Sequence, residues 1–522
     1  MLKNVLYPTD PLDDVLSFLV TMGSPALAAY SLQITHLNAR WITTAFSDVK
    51  YPNSKYVPAV LSAFHHVPVQ ISHHPPLLHS LIVLPKNDDF WRHLLAAVKK
   101  IRRWSTPLVI NFILVIVAVI LTILDSTYAS GPGDGGYGAA ATWAPLLPLV
   151  IGWLYVGCEP ETNHLRNSLD LANLNARVAT GQESQPMGRP WAIEFMKAKD
   201  VDPARKDELK AAPVFNYSRA FTSPLAAELV LRLMKNAAAN AEQRIPVGNP
   251  TGRGTPAWVK GEGGTISDEN RIGTDTEVTE YCTRVLPKPN SNSSSTTPLD
   301  IQSSETIGNA IPLPPLLPLH SPPLVTQSPS RWATGIRKRV AISAALALGL
   351  QWGTVGGAII IYYLTPPIGL GCRSLSALLY GVAGTTSFFL FLASSILAHM
   401  SRPHQGRRHV RSRLLTCQNV GAIICRRLGQ FIAILSALEI LLVCLFLTTG
   451  TFDSCFCSYA TFGMGRDSVV LPVIPVGSAD FSMCIAGLTV AFSTALLFGL
   501  SIIDIPGYAS SSIDTSPVLP HA

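Results

Sequence analysis

The chain has 522 residues, of which 48% are hydrophobic and only 14% are charged, and its formal net charge is +7. A charged fraction this far below that of soluble domains is typical of a chain divided between bilayer and water. Basic runs interleaved with aromatic residues, which a nucleic-acid-binding surface needs, are absent. The composition predicts a membrane protein and excludes nucleic acid as a partner.

Six apolar runs have the length of a membrane-spanning helix, about 20 residues, which is needed because a helix satisfies its own backbone groups where water is absent. In chain order they cover residues 107–124, 139–157, 340–364, 375–398, 428–449 and 484–503. A seventh candidate, residues 15–34, is less apolar and contains Pro25; a span is preferred, and an interfacial helix or a soluble packed helix are the alternatives. The predicted fold is therefore an all-α polytopic membrane protein with six transmembrane helices and a further candidate span at the N-terminus.

Lys and Arg side chains indicate the orientation of these runs. Four of them lie between residues 99 and 103, before the 107–124 run, whereas residues 125–137 contain neither. Arginines also crowd the connection from Arg402 to Arg427. Because positively charged loops stay in the cytoplasm, this connection, the histidine-rich part of residues 1–106 and the tail at 504–522 are predicted to be cytoplasmic. The arginines are also predicted to attract anionic lipid of the bilayer.

Residues 158–339 are predicted to form one large cytoplasmic insertion, partly ordered and partly disordered. Apolar residues recur at helical spacing over 162–178, which predicts an amphipathic helix. A second helix is predicted to begin at Ser223, where proline follows at the first helical position. The stretch 290–329 is rich in Ser, Thr and Pro and has the composition of a disordered linker.

Histidines provide the only candidate metal site. The candidate ligands are His65, His66, His73, His74 and His79. Neutral imidazoles bind zinc or copper when several nitrogens converge in a defined geometry. Their spacing is irregular and interrupted by prolines, so solvated or interfacial histidines are the alternative interpretation. No cofactor is predicted.

Four cysteines are predicted to lie outside or at the outer membrane boundary, where disulfides can form. They are Cys372, Cys455, Cys457 and Cys484. Their pairing is left open, and free thiols near a membrane surface are the alternative.

Glu439 is the candidate intramembrane functional residue, because it lies near the middle of the 428–449 run. An ionisable group at that depth is costly and usually faces a cavity or a partner. In a transporter it would exchange a proton or coordinate a cation, with the polar side chains Asn111 or Gln351 nearby. An interhelical hydrogen bond is the alternative role.

Two runs carry small residues at every fourth position, which predicts close helix packing. The ladders are Ala341, Ala345, Gly349, Gly353 and Gly357, and Gly487, Ala491, Ala495 and Gly499. The packing partner, within the chain or in a second copy, is left open.

The N-terminal part of the chain includes YPTDPLDD, HHVPVQISHHPPLLH and LLPLVIGWLYVG. Across residues 7–180 it resembles a group of fungal multi-pass membrane proteins to which no activity is assigned. The resemblance implies a fungal integral membrane protein and carries over no catalytic residue.

Three functions are compatible with these patterns. The preferred one is a non-enzymatic anchor or interaction protein that presents its insertion to protein partners or forms a homo-oligomer. The second is a secondary transporter or channel that uses Glu439. The third is a membrane metalloenzyme that uses the histidines between His65 and His79.

Overall fold

The computed structural model describes most of the chain. The described residues are 11–72, 75–101, 136–156, 162–180, 183–187, 191–248, 258–261, 266–284, 331–364, 370–402, 413–449 and 478–503, with single residues at 113, 116, 117, 120 and 451. Within them, long helices form a bundle, and shorter elements form a folded body at one end of it.

Helices account for most of the described elements. In chain order they are α1 (Pro11–Gly23), α2 (Pro25–Phe46), α3 (Val57–Ala63), α4 (Pro75–Val83), α5 (Asp88–Ile101), α6 (Gly136–Trp143), α7 (Leu146–Val156), α8 (Thr162–Asn175), α9 (Thr222–Glu242), α10 (Asp275–Thr283), α11 (Ile336–Leu364), α12 (Cys372–Met400), α13 (Arg413–Thr448) and α14 (Ser478–Ile503). The strands are β1 (Val69–Ile71), β2 (Arg177–Thr180), β3 (Glu183–Pro186) and β4 (Ile193–Phe195). They form two small antiparallel pairs, β1 with β4 and β2 with β3, so the fold is mainly rather than entirely helical.

Four helices of the described residues, α11 to α14, are long and apolar enough to cross a membrane, and the bent pair α1–α2 would bring the number to five if it were one span. Large apolar side chains are exposed on their outer faces, for example Phe431 (59%), Leu496 (63%) and Leu497 (66%). Exposed surface of this kind is unfavourable in water and is what a lipid-facing helix presents. The chain is therefore consistent with a membrane protein.

The two small-residue ladders meet each other within the chain. A Cβ built on Gly357 of α11 would lie 2.5 Å from the Gly487 carbonyl oxygen of α14, and one on Gly487 would lie 2.8 Å from the Gly357 carbonyl oxygen. The backbones can approach this closely only because neither residue has a side chain. The predicted close packing is confirmed for α11 and α14.

The prediction of six uninterrupted spans is not confirmed. The 107–124 run lies largely outside the described residues. The 139–157 run forms two short helices, α6 and α7, which are separated by a turn at Ala144 and Pro145. Proline has no amide hydrogen to continue the hydrogen-bond ladder of α6, which accounts for the break at this position.

The two helices α1 and α2 form a hairpin that enters the bundle and returns. They meet at Ser24 with a bend of 100° between α1 and α2. The Ser24 hydroxyl donates to the Gly384 carbonyl in the middle of α12. Asp13, near the start of α1, pairs with Lys210 of the body at 3.4 Å. Asn38, near the end of α2, accepts a hydrogen bond from Arg339 at the start of α11.

Both outer ends of this hairpin therefore lie at the same end of the bundle. We call it the body end: α11 and α13 begin there, and α12 and α14 end there. The structure differs from the predicted continuous helix over 15–34 because Pro25 occupies the first position of a new helix.

The body combines the N-terminal region with the insertion in one hydrophobic core. Trp91 of α5, Leu165 of α8 and Met234 of α9 are all fully buried in it. A bidentate ion pair also joins the two regions, with Arg271 donating to both carboxylate oxygens of Asp88 at 2.6 and 2.7 Å. The helices predicted over 162–178 and from Ser223 correspond to α8, which is followed by β2, and to α9. The linker predicted at 290–329 lies outside the described residues.

Candidate functional site

The body meets the bundle at a buried polar junction, which is the most highly organised polar region among the described residues. The 3-10 helices Pro203–Leu209 and Pro213–Arg219 supply its centre. Each begins with a proline, which presets the backbone angle of a first helical turn. The bundle supplies α2 and the ends of α11, α12 and α13 that lie at the body end.

Arg219 is the centre of the junction. Its side chain is 2% exposed, and all five of its N–H groups donate hydrogen bonds. Nε donates to the His65 carbonyl (2.9 Å), Nη1 to the Glu208 (2.7 Å) and Lys210 (2.9 Å) carbonyls, and Nη2 to the His66 carbonyl (3.2 Å) and to Asn216 Oδ1 (2.6 Å). One guanidinium thus fixes the turn after α3 against both 3-10 helices.

Carboxylates near Arg219 keep this cation charged. Burial lowers the pKa of the Arg219 guanidinium to about 10, while the charges of Glu208 and Asp207 oppose that shift. Burial alone would raise the pKa of Glu208, but the hydrogen bond from Arg205 and the charges of Arg402, Arg205 and Arg219 lower it overall. At neutral pH the junction therefore holds compensated charges, which is the condition for burying them without a large desolvation cost.

His65 and His66 take part in the same network. His65 Nδ1 lies 3.1 Å from the Thr35 hydroxyl, and His65 Nε2 lies 3.4 Å from Asn38 Nδ2. Burial, with a smaller contribution from the neighbouring charges, lowers the pKa of His65 well below its usual value. A neutral ring that donates from Nδ1 to Thr35 and accepts at Nε2 from Asn38 satisfies both contacts. Both nitrogens of His65 are then committed to hydrogen bonds.

Polar contacts also attach the body to α12 and α13. Glu208 accepts two hydrogen bonds from Arg205 (2.8 and 2.7 Å) and is approached by Arg402 at 3.3 Å. Arg426 of α13 donates to the Pro203 carbonyl at 2.8 Å, and Asn419 donates to Asp202 at 3.1 Å. These contacts come from the ends of two helices, α12 and α13, so the body is held in one orientation on the bundle.

Gln351 is used at the break between α1 and α2. Its Oε1 accepts from the Ala26 amide at 3.1 Å, and its Nε2 donates to the Gly381 carbonyl (2.7 Å) and to Thr385 Oγ1 (3.1 Å). The Tyr380 hydroxyl donates to the Met22 carbonyl at 2.7 Å. The first amides of a helix have no partner within it. Gln351 therefore supplies the acceptor that the start of α2 requires at the middle of the bundle.

Glu439 is not among the hydrogen-bond partners of Gln351 within the described residues. Its Oε1 atom is buried and has no hydrogen-bond partner among the described residues, and Glu439 interacts electrostatically with Tyr380 of α12. A buried carboxyl oxygen without a partner is costly, so its retention points to a role. Asn111, the other predicted neighbour of Glu439, lies outside the described residues.

The predicted histidine ligands are not brought together within the described part of the chain. His79 Nδ1 lies 3.3 Å from Thr279 of α10, in the body, whereas His65 and His66 lie at the junction. His73 and His74 lie outside the described residues. No group of three or more His, Cys, Asp or Glu side chains that could hold a metal ion occurs among the residues described.

Of the four predicted disulfide cysteines, Cys372 is disulfide-bonded, whereas Cys484 is buried and is not part of a disulfide. Cys455 and Cys457 lie outside the described residues. Cys484 is therefore excluded from the disulfide pairings that the sequence leaves open.

Sequence reasoning missed Arg219 and Glu208, the two central residues of the junction. The only local signal was charge in a short, proline-flanked segment, and such charges are usually solvated. No family model matches the chain, and neither a curated protein nor a solved structure is similar to it.

Proposed function

We propose that this chain is a non-enzymatic, polytopic membrane protein that presents its folded body to partners in the cytoplasm. The observation that supports this proposal is the junction, where buried ion pairs and hydrogen bonds fix the body to the ends of α12 and α13. A body attached only as a flexible insertion would not need these contacts, because each one costs side-chain entropy. A fixed orientation suits a surface that must face other proteins at the membrane.

The proposed topology has six crossings and a re-entrant hairpin. Four crossings are α11 to α14, one is the broken pair α6–α7, and one is the 107–124 run. Gly138 of α6 packs on Tyr362 near the far end of α11, and Tyr155 of α7 lies beside Ile503 at the body end, which supports a crossing by this pair. The hairpin α1–α2 returns to the side on which it starts. The positive-inside rule makes the body end cytoplasmic, because Arg337, Lys338, Arg402, Arg426 and Arg427 lie there.

Photo-crosslinking in living cells tests this proposal. A photoreactive residue at Lys50 or Lys235, which are exposed on the body, is expected to capture protein, whereas the same residue at Leu496, on the outer face of α14, captures lipid. Protease treatment of sealed microsomes provides the control for orientation. Tags at both termini should be removed and a tag placed between residues 452 and 477 protected. Absence of protein adducts at both body positions, or protection of the N-terminal tag, would contradict the proposal.

A second candidate function is transport of a proton or a cation, and the unpartnered Oε1 atom of Glu439 favours it. In proteoliposomes that enclose a pH-sensitive or Na⁺-sensitive dye, we expect flux in the wild-type protein that is lost in Glu439→Gln. Glu280→Gln changes a carboxylate that is 58% exposed in the body, and it should leave the flux unchanged. Equal signals from protein-free liposomes and from the wild type would eliminate this candidate.

A further inference from the structure

Three cations lie on α13 and on the two 3-10 helices that precede and follow Asp202, the residue that accepts a hydrogen bond from Asn419 of α13. Lys199 and Lys206 belong to the 3-10 helices Ala198–Asp200 and Pro203–Leu209, and Arg427 belongs to α13. All three side chains are exposed. We call them the basic rim.

Arg427, the member of the basic rim on α13, lies at the expected depth of lipid headgroups. The break between α1 and α2 marks the middle of the bundle, and the missing Cβ of Gly23 would lie 2.9 Å from the Ala437 amide of α13. Arg427 precedes Ala437 by ten residues, which is about 15 Å along a helix. This distance is half of the hydrocarbon thickness of a bilayer, about 30 Å. The 3-10 helix that carries Lys206 packs beside this level, because Arg426 donates to the Pro203 carbonyl and Ala204 belongs to one buried apolar cluster with Ala398 and Ala422.

Exposed apolar side chains lie beside Arg427 on α13. Ile424 (58% exposed) and Leu428 (45% exposed) lie on the outer face of the helix, next to Arg427. A long basic side chain beside such a surface extends its charge towards the headgroups while its stem covers apolar groups.

Three nearby carboxylates are already committed to other partners. Glu208 is paired with Arg205 and Arg402, Asp207 accepts from the Tyr217 hydroxyl, and Asp202 accepts from Asn419. None of the three rim cations forms an ion pair within the part of the chain that the structure describes. The rim therefore has positive charge available for a ligand from outside the chain.

We infer that Lys199, Lys206 and Arg427 bind the headgroup of an anionic phospholipid in the leaflet at the body end. This inference extends the lipid attraction expected of the Arg402–Arg427 connection to the folded body, and it rests on the proposed membrane insertion. The phosphate and carboxylate groups of phosphatidylserine provide the complementary charge. Body and bundle then share one lipid, so the lipid reinforces the orientation that the junction sets.

Energy transfer from tryptophan to dansyl-phosphatidylserine tests this inference on the delipidated full-length protein in detergent. Changing all three rim residues to alanine is expected to weaken binding about 100-fold, since each basic residue near a membrane surface contributes roughly a fivefold factor. The matched control changes Lys50, Lys235 and Arg244, which are exposed on the body, and should shift affinity by about twofold or less. Added salt should weaken wild-type binding.

Three outcomes would overturn the inference. They are equal weakening in the two triple variants, equal binding of dansyl-phosphatidylcholine, and full displacement of the probe by inorganic phosphate, which would identify a soluble anion as the ligand. Carbonate washing separates this failure from failure of the membrane proposal itself. If the protein stays in the membrane after carbonate washing but shows no preference for the anionic lipid, only the inference about the basic rim fails. If carbonate releases the protein, the proposed membrane insertion fails as well.

Discussion

Gly23→Ala is expected to disrupt the contact between the α1–α2 hairpin and α13. A Cβ at this position would lie 1.8 Å from the Ala433 carbonyl oxygen and 2.9 Å from the Ala437 amide. Both atoms belong to the backbone of a long helix, so neither can rotate away as a side chain would. Overpacking of a close contact typically costs 1–3 kcal/mol, and we expect a loss of about 3 kcal/mol in the free energy of unfolding.

Gly349→Ala is the matched control for this substitution. Gly349 is a glycine of α11, and a Cβ built on it meets no atom within 4 Å. Because alanine favours a helix interior over glycine, this variant should unfold at the wild-type temperature or slightly above it. Thermal unfolding of the detergent-solubilised protein, followed by tryptophan fluorescence and size-exclusion profile, distinguishes the two. Equal melting temperatures for both variants would mean that α1 does not pack on α13 as described.

The long bundle helices could be predicted from the sequence, because the length of an apolar run is a local property. The residues at which these helices begin and end could not be predicted as well. The predicted run 428–449 begins directly after two arginines, whereas α13 already begins at Arg413. The helix continues through Arg426 because this side chain is buried (3% exposed) and donates to the Pro203 carbonyl. A carbonyl more than 200 residues away in sequence therefore decides how an arginine within the helix is accommodated.

The hairpin and the junction could not be predicted for the same reason. The hydropathy of residues 15–34 does not show that the chain turns back between α1 and α2. This turn depends on Gln351, which accepts a hydrogen bond from the Ala26 amide and lies 325 residues away from it in sequence. The sequence indicates Gln351 as a polar residue of a span, but not its partners, which are the Ala26 amide, the Gly381 carbonyl and the Thr385 hydroxyl. His65 and His66 form a doublet in the sequence. In the fold, their carbonyls accept from Arg219, the His65 ring contacts Thr35, and the His66 ring contacts Asn216. The residue types indicate that these side chains form hydrogen bonds, but only the fold identifies their hydrogen-bond partners.

Arg219→Met should release the body from the bundle. The substitution keeps most of the side-chain length but removes five hydrogen-bond donors, so that four buried carbonyls and Asn216 Oδ1 lose a partner. It also leaves Glu208 without one of its neighbouring cations. Removing one partner from a buried charged network costs about 3–5 kcal/mol, which is a large fraction of the stability of a domain.

Arg232→Met and Arg219→Lys make this prediction specific. Arg232 is exposed on α9, and its replacement should change the free energy of unfolding by about 0.5 kcal/mol or less. Lysine retains the charge but has no planar fork, so it should restore only part of the stability. Urea unfolding measures the energies, and limited proteolysis reports whether the body separates from an intact bundle. If Arg219→Met unfolded like Arg232→Met, the junction would not hold the body in place. The fixed orientation on which the proposed presenting function depends would then be lost.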